Sequence, residues 1–265
     1  MIPRLRRLTT ALLLLALVAT TAGGGAVAGV RTATAHPGQL EVVALGDSVT
    51  SGTACNCAAF PAIYGALLHT RTGSAVSVDN LGAGGLDSAG LLRRLDQPDS
   101  PTEAATSTAD VVLVTIGAND FGDHHDDITT GRCTDTDCVA DELEQLSANL
   151  HRILERIGAL RTGRATTVLV TGYWNVFEDG EVARRTFPAT GRAATTDLTL
   201  RVNAIIANVT TATGATYVDL YAPFERPGTD VTALLAPDGD HPNAAGHHLI
   251  AQLLANTGLP RATFH

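Results

Sequence analysis

The chain has 265 residues, 27 acidic against 18 basic side chains and a formal net charge of −9. That size suits one α/β domain, and the acidic balance offers no basic footprint for nucleic acid. Every basic residue is Arg, which suits a GC-rich genome and excludes a Walker-type phosphate loop, whose lysine is missing.

The N-terminus reads as an export signal. Arg4, Arg6 and Arg7 precede the apolar run from Ala11 to Ala19, and Ala26-Val27-Ala28 supplies a small-residue cleavage site, with Ala33-Thr34-Ala35 as a second. The apolar run is short against the roughly 20 residues of a membrane-spanning helix. The expected organisation is a signal peptide over 1–28, a loose leader over 29–39 and one domain over 40–265, secreted and without a stable membrane span.

Beyond the leader, strands and helices alternate. Val-rich runs at 41–45, 75–78, 111–116, 166–171 and 216–218 read as strands buried on both faces. Helical periodicity marks 60–69, 86–95, 139–160, 198–211 and 243–254; Leu143, Leu146, Leu150, Ile153, Leu154 and Ile157 form one apolar stripe. The alternation predicts a three-layer α/β/α sandwich with about five parallel strands and right-handed crossovers. Two connections are long. The one over 121–138 is polar and acidic; the one over 173–192 carries Tyr173, Trp174, Phe177 and Phe187. Trp174 and Phe177 are candidates for an acyl or aromatic subsite, with a packed cap as the competing reading.

Four segments stand at predicted strand ends. Gly46-Asp47-Ser48-Val49 follows the first strand, Asn80-Leu81-Gly82-Ala83-Gly84-Gly85 the second and Gly117-Ala118-Asn119-Asp120 the third; Asp238-Gly239-Asp240-His241-Pro242 precedes the last helix. A serine hydroxyl needs a base within reach and a third group to orient that base. An oxyanion hole needs fixed donors, which a glycine backbone and an Asn amide supply. Asp238 lies three residues before His241, a better spacing for contact than adjacent Asp240. Asp47 and Asp120 are expected to organise their loops by accepting backbone N–H groups.

In this order the segments resemble the SGNH hydrolases, the GDSL-type esterases and lipases. The resemblance spans residues 46–243. It implies a flavodoxin-like fold, with Ser48 as nucleophile, His241 as base and Asp238 as its partner. It also implies an oxyanion hole from Ser48, Gly85 and Asn119. Gly85 is preferred to Gly82 because it lies five residues after Asn80, as the family spacing suggests. The serine is followed by Val49 rather than Leu, at a position the family varies. The implied activity is hydrolysis of a lipid, acylated-sugar or small-molecule ester without metal or cofactor. A non-catalytic carbohydrate- or lipid-binding protein and an acyltransferase are the alternatives, and a monomer is favoured.

Other signals are weaker. Gly82-Ala83-Gly84-Gly85-Leu86-Asp87 puts Asp where a dinucleotide fingerprint needs its third glycine, and no G-x-S-x-G elbow occurs. His124-His125-Asp126-Asp127 invites a metal, but adjacent histidines usually point apart. Cys55, Cys57, Cys133 and Cys138 are even in number in a chain read as exported, which favours disulfides over free thiols or zinc. A Cys55–Cys57 bridge demands close geometry. The expectation is therefore two bridges joining the loop after Ser48 to the loop after Asn119.

Overall fold

The Val-rich runs pair in parallel, in the order β2-β1-β3-β4-β5. The computed structural model describes residues 38–133 and 137–258. Its strands are β1 (Gln39–Gly46), β2 (Ala75–Asn80), β3 (Val111–Thr115), β4 (Thr167–Thr171) and β5 (Thr216–Val218). The helices, in chain order, are α1 (Ser48–Ser51), α2 (Phe60–Thr72), α3 (Ser88–Asp96), α4 (Pro101–Thr108), α5 (His125–Thr129), α6 (Ala140–Leu160), α7 (Gly180–Thr186), α8 (Ala189–Ala212), α9 (Tyr221–Phe224) and α10 (Ala244–Thr257). This strand order is the flavodoxin-like one, whose topological switch point lies between β1 and β3. The predicted α/β fold is the observed one.

The expected signal peptide and residues 29–37 of the leader lie outside the described residues. Gln39 does not belong to a leader: it is the first residue of β1, paired with Ala75. Among the described residues, no helix is long and apolar enough to cross a membrane.

Central strand β3 is buried throughout, while edge strand β2 is partly exposed. Helices α2 and α10 pack together on one side; α3, α6 and α8 form the other layer. The stripe read in the sequence supplies much of α6's buried face, with Leu146, Leu150, Ile153, Leu154 and Ile157 all inside. Each such side chain contributes about 1.5–3 kcal/mol on burial. Two of these helices carry side-chain N-caps. Asp87 caps α3 by accepting the Gly90 N–H, and Asn243 caps α10 by accepting from Ala245 and Gly246.

The disulfides differ from expectation. Cys55 pairs with Cys57 and Cys133 with Cys138, so each bridge closes within one loop and neither joins the two site walls. The Cα separations are 5.0 and 6.0 Å, within the ordinary range. What permits the tight Cys55–Cys57 turn is backbone: Ala54 and Asn56 both adopt left-handed conformations, at φ 60° and 48°. A non-reducing digest should yield these two local pairs. A peptide joining Cys55 or Cys57 to Cys133 or Cys138 would restore the cross-loop pairing.

Candidate active site

Ser48 is placed by a strand-to-helix turn that only glycine allows. At Gly46, φ is +153°, and a Cβ there would come within 2.1 Å of the Thr115 carbonyl oxygen on β3. The chain then turns at Asp47, whose N–H donates to Thr115 O at 3.1 Å. Asp47 is 1% exposed, and its Oδ1 accepts the Val49 N–H at 2.9 Å, capping α1. Its Oδ2 accepts the Tyr173 hydroxyl. Burial pushes the Asp47 carboxyl up to about 6, against the lowering pull of Tyr173 and Val49; nearby Asp240 adds to the rise. Ser48 is the first residue of α1, at the C-terminal end of β1 and beside the switch point.

The loop after β2 crosses the Ser48 turn. Ala83 N–H donates to Gly46 O at 2.9 Å, and a Cβ on Gly82 would meet Ser51 N at 2.5 Å. Gly82 is thus a packing glycine, and its N–H donates to Asn80 Oδ1 at 3.1 Å. Gly85 differs. It is exposed, has φ +72°, and a Cβ there would meet no atom within 4 Å. Its N–H has no partner among the described residues. A side chain at Gly85 would therefore meet backbone strain but no clash, and the space above the glycine is open.

Asn119 is the second residue of the 3₁₀ turn Ala118–His124 after β3. Its Nδ2 donates to Leu86 O at 2.9 Å, fixing the amide against the residue after Gly85. An amide nitrogen carries two hydrogens, so one remains to donate. A second tie lies behind. Ser88 N–H donates to Asp120 Oδ2 at 3.0 Å, the Ser88 hydroxyl to Asp120 Oδ1, and Asn149 Nδ2 to Ser88 Oγ at 2.9 Å. Burial raises the Asp120 carboxyl despite the Ser88 bonds. Asp120 organises the loops as expected; the Ser88 and Asn149 partners carry no sequence signature.

Asp238 and His241 share one compact turn. Asp238 Oδ1 accepts the backbone N–H of Asp240 and of His241, both at 3.1 Å, and Oδ2 lies 2.9 Å from His241 Nδ1. Partial burial pushes the Asp238 carboxyl up, but the His241 backbone and ring and the Asp240 N–H outweigh it, leaving it below the usual carboxylate range. Asp240 Oδ2 stands 3.6 Å from the same nitrogen, beyond hydrogen-bond distance. With Nδ1 donating to Asp238, the imidazole lone pair falls on Nε2. That atom is buried and without a partner among the described residues. Gly239, at φ +76°, lets the turn lie against Val182, and its carbonyl accepts the Asp179 N–H at 2.7 Å.

Charges gather around this turn. Burial raises Asp240; His241 opposes the rise, while Glu178 and Asp238 reinforce it. His125 Nε2 lies 3.1 Å from Glu178, and His124 Nε2 lies 2.9 Å from Glu142. The adjacent histidines thus face different carboxylates rather than one ion. Behind the turn, burial pushes Glu225 up to about 7, and Asp179 and Asp230 push the same way. Between the ordinary carboxylate pKa and about 7, the unfolded chain releases a proton that the folded one keeps, so stability falls as pH rises through this window. Glu225→Gln should raise stability above pH 7 by about 1–2 kcal/mol, allowing for solvent screening of a half-buried group, with no gain near pH 4. Denaturant titrations at the two pH values check this; equal changes at both would dissociate it from Glu225 ionisation.

Trp174 and Phe177 are core residues, 1% and 5% exposed. Trp174 stacks on Phe224 with centroids 4.5 Å apart, and Phe177 meets the His125 ring edge-on. Neither presents surface to a ligand. Among the described residues, Cys55, Cys57 and His247 are the one grouping with metal-ligand spacing. The sulfurs are joined in a disulfide, and His247 Nδ1 accepts the Phe60 N–H at 3.2 Å. That bond leaves the proton on Nε2 of a neutral ring, so no nitrogen lone pair is free for a metal. A hollow of about 560 Å³ between α2 and β2 is lined by Gly65, Ala66, Val76 and Val78 among others, and by none of the candidate residues.

Known proteins share the family pattern and the fold. The model of the GDSL-like lipase/acylhydrolase family matches residues 44–249. No curated protein sequence matches the chain. Among solved structures, the lipase Lip_vut3 from a goat rumen metagenome is 19% identical with a TM-score of 0.68, over 84% of this chain and 99% of that one. An extracellular lipase from Streptomyces rimosus is 22% identical with a TM-score of 0.61, over 83% and 100%. A mutant of the acetyl-xylooligosaccharide esterase Axe2 from Geobacillus is 20% identical with a TM-score of 0.57, over 82% and 92%. These likenesses agree in fold. With the family pattern running from β1 into α10, the chain belongs to the GDSL-like lipase/acylhydrolase family of carboxylic ester hydrolases.

Proposed function

We propose that the protein is an exported serine esterase working through an acyl-enzyme on Ser48. One observation carries the reading: His241 is oriented by Asp238 through Nδ1, and its Nε2 is left buried without a partner. Nε2 takes the Ser48 proton as the hydroxyl oxygen attacks the ester carbonyl. The oxyanion sits against the N–H groups of Ser48 and Gly85 and the free amide hydrogen of Asn119. His241 then protonates the leaving alcohol, and water activated by the same nitrogen releases the acid. Asp238 holds the useful tautomer throughout. Export rests on the arginine-led apolar run and its Ala28 site.

The substrate class is a carboxylic ester. The similar solved proteins include a lipase and an acetyl-xylooligosaccharide esterase, which bracket long-chain lipids and acetylated sugars. A rate series over p-nitrophenyl esters of rising chain length, beside an acetylated polysaccharide, separates them. A fluorophosphonate probe tests the chemistry itself. Labelling of Ser48 supports the acyl-enzyme, and unlabelled, inert protein would point to a binding module. Adding an acceptor alcohol and measuring ester formation distinguishes transfer from hydrolysis.

Asn119→Ala should lower kcat by roughly 10²–10³ with little change in KM, as for loss of one oxyanion donor. A loss carried by KM alone would make Asn119 a ground-state binding group.

A further inference from the structure

The residue ahead of the nucleophile is held by a side chain from across the sheet. Asp47 receives hydrogens only: Val49 N–H at Oδ1, the Tyr173 hydroxyl at Oδ2, and the Thr50 N–H nearby. Tyr173 is itself immobile. It is 1% exposed, its N–H donates to Asn203 Oδ1 at 2.8 Å, and its carbonyl accepts Asn203 Nδ2 at 2.8 Å. One phenol therefore ties the segment after β4, anchored on α8 by Asn203, to the turn that carries Ser48.

We propose that Tyr173 is a positioning residue for the reaction, holding Ser48 in register through Asp47 and keeping the Asp47 carboxylate anionic at working pH. This rests on the reading of Ser48 as nucleophile. A protonated Asp47 would bring a further hydrogen to a pocket already full of donors. The tyrosine hydroxyl beside it already directs its hydrogen at Asp47. Protonation would break the Val49 or Tyr173 bond, and the first turn of α1 would lose its cap. The groups that decide the charge are few. Tyr173 faces Asp47 from β4 and favours the anion; Asp240 faces it from the His241 turn and opposes the anion. Asp120 acts on Tyr173 from the turn after β3. Burial raises the Tyr173 hydroxyl well above its ordinary range, so it stays a donor at every working pH. With Asp47 at about 6, a second proton enters the acid limb of the rate beside that of the imidazole.

Two measurements test the proposal. Kinetics of Tyr173→Phe should show kcat at pH 7 reduced about 10-fold with KM within about 2-fold, recovering at pH 9 to within about 3-fold of wild type. The acid limb of kcat/KM should move up by about one pH unit. A loss that is the same at every pH would mark a merely structural tyrosine and overturn the proposal. The second measurement needs no turnover. In Ser48→Ala protein, the Asp47 carboxyl carbon is followed by NMR against pH, with its signal identified by its loss in Asp47→Asn. Its midpoint should lie near 6 and rise when Tyr173→Phe is added. An Asp47 that titrates below pH 4.5 with Tyr173 in place, or is indifferent to the hydroxyl, would overturn the proposal even if Tyr173→Phe fails to fold. Failure of Ser48 to label with a fluorophosphonate would remove the esterase reading instead, and the NMR midpoint tells the two failures apart.

Discussion

Ser48→Ala should lower kcat by at least ~10⁴ while leaving the melting transition where it was, because a triad whose nucleophile is lost retains only oxyanion-hole and binding contributions. The fold has little stake in the hydroxyl. The local turn is held by Asp47 and by the Ser48 carbonyl, which accepts from Gly52 and Thr53. Active-site titration with a fluorophosphonate gives the reference concentration, and steady-state turnover on a p-nitrophenyl ester gives the ratio. Wild-type-like turnover in the purified variant would take Ser48 out of the mechanism.

The second large effect concerns the base and its partner. His241→Ala should nearly abolish turnover. Asp238→Asn should lower kcat by about 10²–10⁴, since an amide facing Nδ1 offers hydrogens where the ring needs an acceptor, and the tautomer reverses. Asp240→Asn should cost less than about 10-fold, because its carboxylate stands 3.6 Å from Nδ1 and makes no bond there. Both acids are measured at the alkaline plateau, so that orientation separates the variants. Damage from the Asp240 change alone would move the third triad position to Asp240. On the acid side the rate should fall, since a protonated imidazole cannot accept the Ser48 proton.

What the sequence disclosed followed from signals confined to single segments. The five strands were legible because Val-rich runs declare burial on both faces, and their bounds moved by no more than two residues at either end. Helix α6 was legible from its stripe. Helix α4 was missed, although Ser100 and Pro101 stand at its N-cap and first position and Ser100 Oγ accepts the Glu103 N–H, a capping pattern present in the sequence. Helix α8 starts at Ala189 rather than near 198, because its first turns pack through small residues: a Cβ on Gly191 would sit 1.8 Å from Thr129 O. Such faces leave no apolar stripe.

At the site, the i, i+3 spacing of Asp238 and His241 already favoured that pair over the adjacent acid, and the geometry has the hydrogen bond there. Contacts between distant segments were not legible. Tyr173 and Asp47 are 126 residues apart, and Ser88 and Asn149 61 apart. Trp174 and Phe177 looked available for substrate only because aromatics in a long connection do not reveal which way they pack. The cysteine pairing failed for a local reason, since left-handed Ala54 and Asn56 are not marked by glycine.

Those two bridges span 2 and 5 residues along the chain. Rings so short remove little freedom from an unfolded chain, about 2 kcal/mol each by loop-closure entropy. The walls of the site are instead joined by Asn119 on Leu86, Asp120 on Ser88 and Tyr173 on Asp47, none of which responds to a thiol. The domain is accordingly suited to manufacture in a reducing cytosol: polypeptide made there from residue 38 onward should reach the active arrangement before any sulfur is oxidised, and later oxidation should add heat tolerance rather than activity.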